Sequence, residues 1–178
     1  MTRLTILAAL LVAACGGGSD GATVDAPPSA DSAPVLPTTC TGACAVTNAV
    51  AMFGAGILPF ERAYYGLTDG PATDTLHVEA YSGGEEGCQP AAADATLVID
   101  VVQIPTDLVP YTTGAGLVDL TGFLLTDQPT ASTSDARITP SAWVDGEAIA
   151  IDVSATFTNG TVIGHIHAVH CPAMDAAE

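Results

Sequence analysis

Lysine is absent from this 178-residue chain, and its only strong bases are Arg3, Arg62 and Arg137, set against 20 acidic residues. So few cations exclude a nucleic-acid partner, because the chain repels a phosphate backbone. They also leave only Arg62 and Arg137, past the first segment, to stabilise an oxyanion or a phosphate. Catalytic signatures are missing too. There is no Gly-x-Ser-x-Gly elbow, phosphate-binding glycine loop, His-Glu-x-x-His or dinucleotide fingerprint, so the chain reads as non-catalytic. The apolar run at 4–14 falls well short of the roughly 20 residues a membrane-spanning helix needs.

That short run is nonetheless informative. Arg3 precedes it, only Thr5 interrupts it, and it ends in Leu11-Val12-Ala13-Ala14-Cys15. A charged start, a short apolar stretch and small residues before a processing point describe a secretory signal. The last five residues resemble the lipobox of bacterial lipoproteins. The resemblance implies that residues 1–14 are a signal peptide cleaved before Cys15. It further implies a diacylglycerol on the Cys15 thiol, an acyl chain such as palmitate on the new amino group, and a membrane as partner. Two or three acyl chains anchor stably where one does not, at about 0.8 kcal/mol per buried methylene. Gly16 in the second mature position, with no aspartate there, resembles the pattern of lipoproteins sent to the outer membrane.

Residues 15–39 follow as a lipidated, disordered tether. The run from Gly16 to Gly21 is flexible coil, and Pro27, Pro28, Pro34 and Pro37 stiffen the rest into extended backbone. After residue 14, two arginines against 20 acids give a formal charge of −18. Residues 40–171 suffice for one domain with a core, leaving 172–178 as a tail.

With Cys15 assigned to lipid, Cys40, Cys44, Cys88 and Cys171 remain, an even set suited to an oxidising compartment. Three pairings are open, and Cys40–Cys44 with Cys88–Cys171 is favoured. The long loop closed by Cys88–Cys171 constrains the unfolded chain by about 4–5 kcal/mol and the small ring by roughly 2 kcal/mol. The competing arrangement is a Cys/His metal site.

The domain reads as all-β. Branched and aromatic residues separated by turn chemistry place strands near 47–54, 60–67, 75–82, 96–104, 116–126, 136–144, 147–158 and 161–171. Residues 83–87 and 105–116 read as loops. Seven or eight short strands predict an antiparallel two-layer sandwich. The last three strands form a meander, since Asp145-Gly146 and Asn159-Gly160 are hairpin signals. A two-residue loop at 159–160 sets Thr158 against Thr161, placing Asp152 opposite His167 and Ser154 opposite His165. The 145–146 turn brings Arg137 beside Ser154 and Thr139 beside Asp152. Pro140 lacks a ladder donor and points to an edge or a bulge.

This register yields the chemical candidates. His165 and His167 share one face of a strand, and with Asp152 they are suitable ligands for zinc or copper. The polar row Arg137, Asp152, Ser154, His165 and His167 is alternatively a binding face, or a plain solvated one. His170 falls on the core side. The acidic loops at 69–74 and Glu85-Glu86 offer oxygens to calcium without the spacing of an EF-hand. Two functions follow. The first is a lipid-anchored cell-envelope module with a binding, adhesion or structural role. The alternative is a periplasmic or surface zinc- or copper-binding protein using the His-x-His strand.

Overall fold

A computed structural model describes residues 34–177 except 55, 70–73, 91, 113, 123–129 and 133–134. The signal segment, Cys15, most of the tether and the middle of the 69–74 loop lie outside the described residues. The strands are β1 (Val50–Phe53), β2 (Gly56–Pro59), β3 (Arg62–Asp69), β4 (Thr75–Ser82), β5 (Ala95–Val101) and β6 (Tyr111–Thr112), followed by β7 (Gly116–Gly122), β8 (Thr130–Ser132), β9 (Asp135–Val144), β10 (Ala148–Phe157), β11 (Gly160–His170) and β12 (Ala176–Ala177). Short 3-10 turns occupy Gly42–Ala45 and Pro172–Met174, and no α-helix occurs among the described residues.

Alternation builds the core. In β5, Ala95, Leu97, Ile99 and Val101 are buried while Thr96, Val98 and Asp100 face outward. In β10, Ile151, Val153, Ala155 and Phe157 point in, and Asp152, Ser154 and Thr156 point out. The inward residues of both halves of the domain join one cluster with Tyr65, Val118, Leu120, Ile138 and Ile166. Burying such aliphatic side chains stabilises by about 1.5–3 kcal/mol each.

The expected all-β domain forms, but not clearly as an antiparallel two-layer sandwich. The strands belong to one mixed sheet, in the order β6-β9-β10-β11-β3-β4-β5-β7-β8, with β1, β2 and β12 attached beside it. The joint is parallel: Ala168, Val169 and His170 of β11 pair with Ala63, Tyr64 and Tyr65 of β3. Turn residues report hairpins only, so a parallel joint between distant segments leaves no local trace. The sheet is curled and nearly barrel-shaped. Gly116 of β7 comes so close to β9 that a Cβ there would lie 2.7 Å from Ile138 Cδ1.

The β9–β10–β11 meander is present, with two instructive departures. Phe157 pairs with Gly160, so Thr158 and Asn159 make the turn and the register slips by two residues. Neither turn residue has a positive φ. Gly160 serves close approach instead, since a Cβ there would sit 2.4 Å from the Phe53 ring of β1. A slip of two preserves the faces and changes every partner. At the other hairpin the loop is Asp145-Gly146-Glu147, one residue longer than expected. A bulge at Ser141, next to Pro140, removes that excess, so Arg137 still meets Ser154 and Thr139 still meets Asp152. Bulges also bend the strand, which favours curling.

Both ends of the domain reach further than expected. Leu36 is buried, Pro37 O accepts from Trp143 N at 2.8 Å, and Val35 bridges to Asp107. The close of the tether is therefore docked. The expected tail carries the 3-10 turn and β12, which pairs with Thr68 and Asp69 of β3. Cys40 is joined to Cys44, and Cys88 to Cys171.

Candidate functional site

The outward side of β9, β10 and β11 gathers most of the polar row. Asn48, Arg137, Thr139, Asp152, Ser154, Ile163 and His165 line an open groove of about 530 Å³. The register decides who meets whom. Asp152 stands opposite His165, not His167, which pairs with Ala150, and Ser154 stands opposite Ile163, not His165. The cause is the two-residue slip at Gly160. It also separates Ser154 from the histidine that a nucleophile–base pair would need.

His165 acts as a bracket. Its Nδ1 lies 2.8 Å from Asp152 Oδ1, and its Nε2 lies 2.8 Å from the Cys44 carbonyl oxygen. The ring thus ties β10 to the segment 40–49, which crosses the edge of β11. That segment is held by its side chains as well. Asn48 Oδ1 accepts from His165 N at 2.9 Å, and His167 N donates to Thr47 Oγ1 at 3.1 Å. Asn48 N and Ala49 N both donate to His165 O. Between the β1 pairing at 160–163 and the β3 pairing at 168–170, side chains therefore supply partners that strand backbone supplies elsewhere. Gly164, with φ +137°, permits the crossing, because a Cβ would lie 2.6 Å from Ala49 Cα.

His167 is half-buried beside Thr47, Arg62, Tyr64 and Val169 in a separate cleft of about 310 Å³. Burial first, and His165 second, lower its pKa. His165 and Asp152 are thus brought together and His167 is set apart. No three His, Cys, Asp or Glu side chains group as metal ligands among the described residues. His170 lies on the inner side, as its strand position implies, stacked on Tyr65 at 4.9 Å between ring centroids. Its partner is the Asp175 carboxylate at 3.2 Å. Asp175 Oδ1 also accepts from Leu67 N, the main reason its pKa is lowered, with His170 adding to the effect. Tyr65 is fully buried, and burial, then Asp145 and Asp175, push its hydroxyl up to about 12.

A second polar cluster sits on β4 and β5, where the sequence reading placed nothing. His77 Nδ1 lies 2.6 Å from Asp100 Oδ1, its direct cross-strand partner, and Nε2 lies 3.1 Å from Glu79 Oε1. Tyr81 donates from its hydroxyl to the other Glu79 oxygen. The hydrogen bonds to Asp100 and Glu79 raise the His77 pKa to about 9 against the opposing effect of burial. His77 is therefore a cation at neutral pH, with both N–H groups donating to carboxylates. The available signal was the alternation His77-x-Glu79-x-Tyr81 with Asp100 on the outer positions of β5. Pairing them requires the register across residues 83–94, which no tight turn sets.

No protein-family model, curated protein or solved structure matches the chain.

Proposed function

We propose that the chain is a lipid-anchored module of the bacterial cell envelope, held at the outer membrane through Cys15 and displaying a non-catalytic β domain that binds, adheres or supports. The observation carrying this reading is Leu11-Val12-Ala13-Ala14-Cys15 behind a short charged and apolar start. The two disulfides support it, because all four remaining cysteines are paired and such bonds persist in oxidising compartments. The groove beside His165 supports a binding role over a purely structural one. Zinc or copper held by His165, His167 and Asp152 has less support, since both His165 nitrogens already face oxygen acceptors and His167 lines a different cleft.

The test is expression of the full chain in a bacterium fed labelled palmitate. The wild type takes up label and sediments with membranes, whereas Cys15→Ser takes up none and stays in the soluble fraction. Unlabelled, soluble wild-type protein with a mature N-terminus other than Cys15 overturns the proposal.

A further inference from the structure

We propose that the groove between β9, β10 and the 40–49 segment binds a zwitterion of amino-acid size with an aliphatic side chain, its carboxylate on Arg137 and its ammonium on Asp152. This rests on the binding branch of the proposed function and is independent of the lipid anchor.

The starting point is a charge that has no ion-pair partner among the described residues. Arg62, the other arginine of the domain, is tied down by donating to the carbonyls of Gly83 and Gly84. Every ion pair among the described residues is made by a histidine, so Arg137 has none there, although the chain holds 20 acids. Arg137 is exposed and lines the groove. Asp152 lines the same groove with its side chain 58% exposed, and one of its oxygens is engaged by His165. Because Arg137 pairs with Ser154 and Thr139 with Asp152, Arg137 and Asp152 are diagonal neighbours on adjacent strands. Such neighbours lie about 7–8 Å apart, within reach of an arginine side chain. The two opposite charges share the groove and do not meet.

That arrangement selects by charge. A simple anion is attracted by Arg137 and repelled by Asp152, and a simple cation meets the reverse. A zwitterion satisfies both, its carboxylate accepting two parallel N–H bonds from the guanidinium and its ammonium donating to the free side of Asp152. Ser154 and Thr139 supply hydroxyls between these poles, and Asn48 supplies an amide at the rim. Ile163, 50% exposed, forms an apolar wall, which favours an aliphatic side chain over a polar one. A volume of about 530 Å³ accommodates a ligand of this size with some water.

Calorimetry on the full chain tests the inference with three probes: L-leucine, 4-methylpentanoate, which lacks the ammonium, and 3-methylbutylamine, which lacks the carboxylate. L-Leucine is expected to bind with a dissociation constant of about 1 mM or tighter, and each single-charge probe at least tenfold more weakly. Arg137→Gln, with an unchanged melting temperature, loses at least tenfold in leucine affinity, and Arg137→Lys retains part of it. Absence of leucine binding, equal binding of all three probes, or undiminished binding by Arg137→Gln overturns the inference. Any of these leaves the Cys15 result standing, and a failed palmitate experiment leaves the calorimetry readable.

Discussion

Two histidine–carboxylate pairs stand on the outer face of the sheet, and each obeys the same rule of direct cross-strand partnership. On β4 and β5, His77 faces Asp100; on β10 and β11, His165 faces Asp152. Their surroundings differ. Both nitrogens of His77 meet carboxylates and Tyr81 closes the chain of hydrogen bonds, so the cluster is satisfied within the sheet. His165 spends its second nitrogen on the Cys44 carbonyl and leaves Asp152 exposed beside Arg137, which has no ion pair among the described residues. The same pairing thus produces a closed charge cluster in one place and an open groove in the other. A polar residue on a strand becomes a candidate for binding when its neighbours leave a charge unanswered, not merely because it can ligate.

The contrast is broken most strongly at Gly164. Gly164→Val puts a branched side chain at φ +137° against Ala49 and should cost about 2–4 kcal/mol in urea unfolding. Hydrogen exchange should quicken at Asn48 and Ala49 first and leave β4 and β5 protected. A loss below about 1 kcal/mol would mean that the 40–49 segment does not depend on close approach.

A smaller effect separates the clusters by pH. The folded pKa of His77 is raised to about 9 from an ordinary 6.5. Its stabilisation is therefore complete below pH 6.5 and is lost as pH rises through about 9. Solvent around the half-exposed Asp100 screens the pair, so the loss across this window should be on the order of 1–2 kcal/mol. Melting curves from pH 6 to 10 should show this decline in the wild type and a flatter profile in His77→Gln. Identical profiles would remove the charge cluster from the account.

The mildest change is His165→Gln, which severs the bridge from Asp152 to Cys44. It should cost about 1 kcal/mol and speed proteolysis within 40–49, with β4 and β5 unaffected. Uniform destabilisation would assign His165 to the core and not to a bracket.

How far these features could be read beforehand follows from where each register comes from. β4 is found at its full extent because its alternation is clean and Asp74 and Gly83 bound it. The β9–β10 pairing at Arg137 and Asp152 emerges correctly although loop length and bulge each differ by one residue, because the two offsets cancel. The β10–β11 partners do not emerge, since Gly160 looks like a turn residue and in fact makes room for Phe53. β2, β6 and β12 are too short to show a period, and β11 meets β3 through pairing that no turn announces. The groove was therefore visible as a row of residue types with its β9–β10 partners, while its β10–β11 partners were not. The His77 cluster needed a register that only the folded sheet supplies.

That the β9–β11 region of the outer face is open to a ligand while the β4–β5 region is closed is tested most directly by an amide chemical-shift map of the full chain titrated with L-leucine. Shifts are expected at 137–139, 152–154 and 163–165, with none at 75–82 or 95–101. Shifts centred on β4 and β5, or none anywhere, would contradict it.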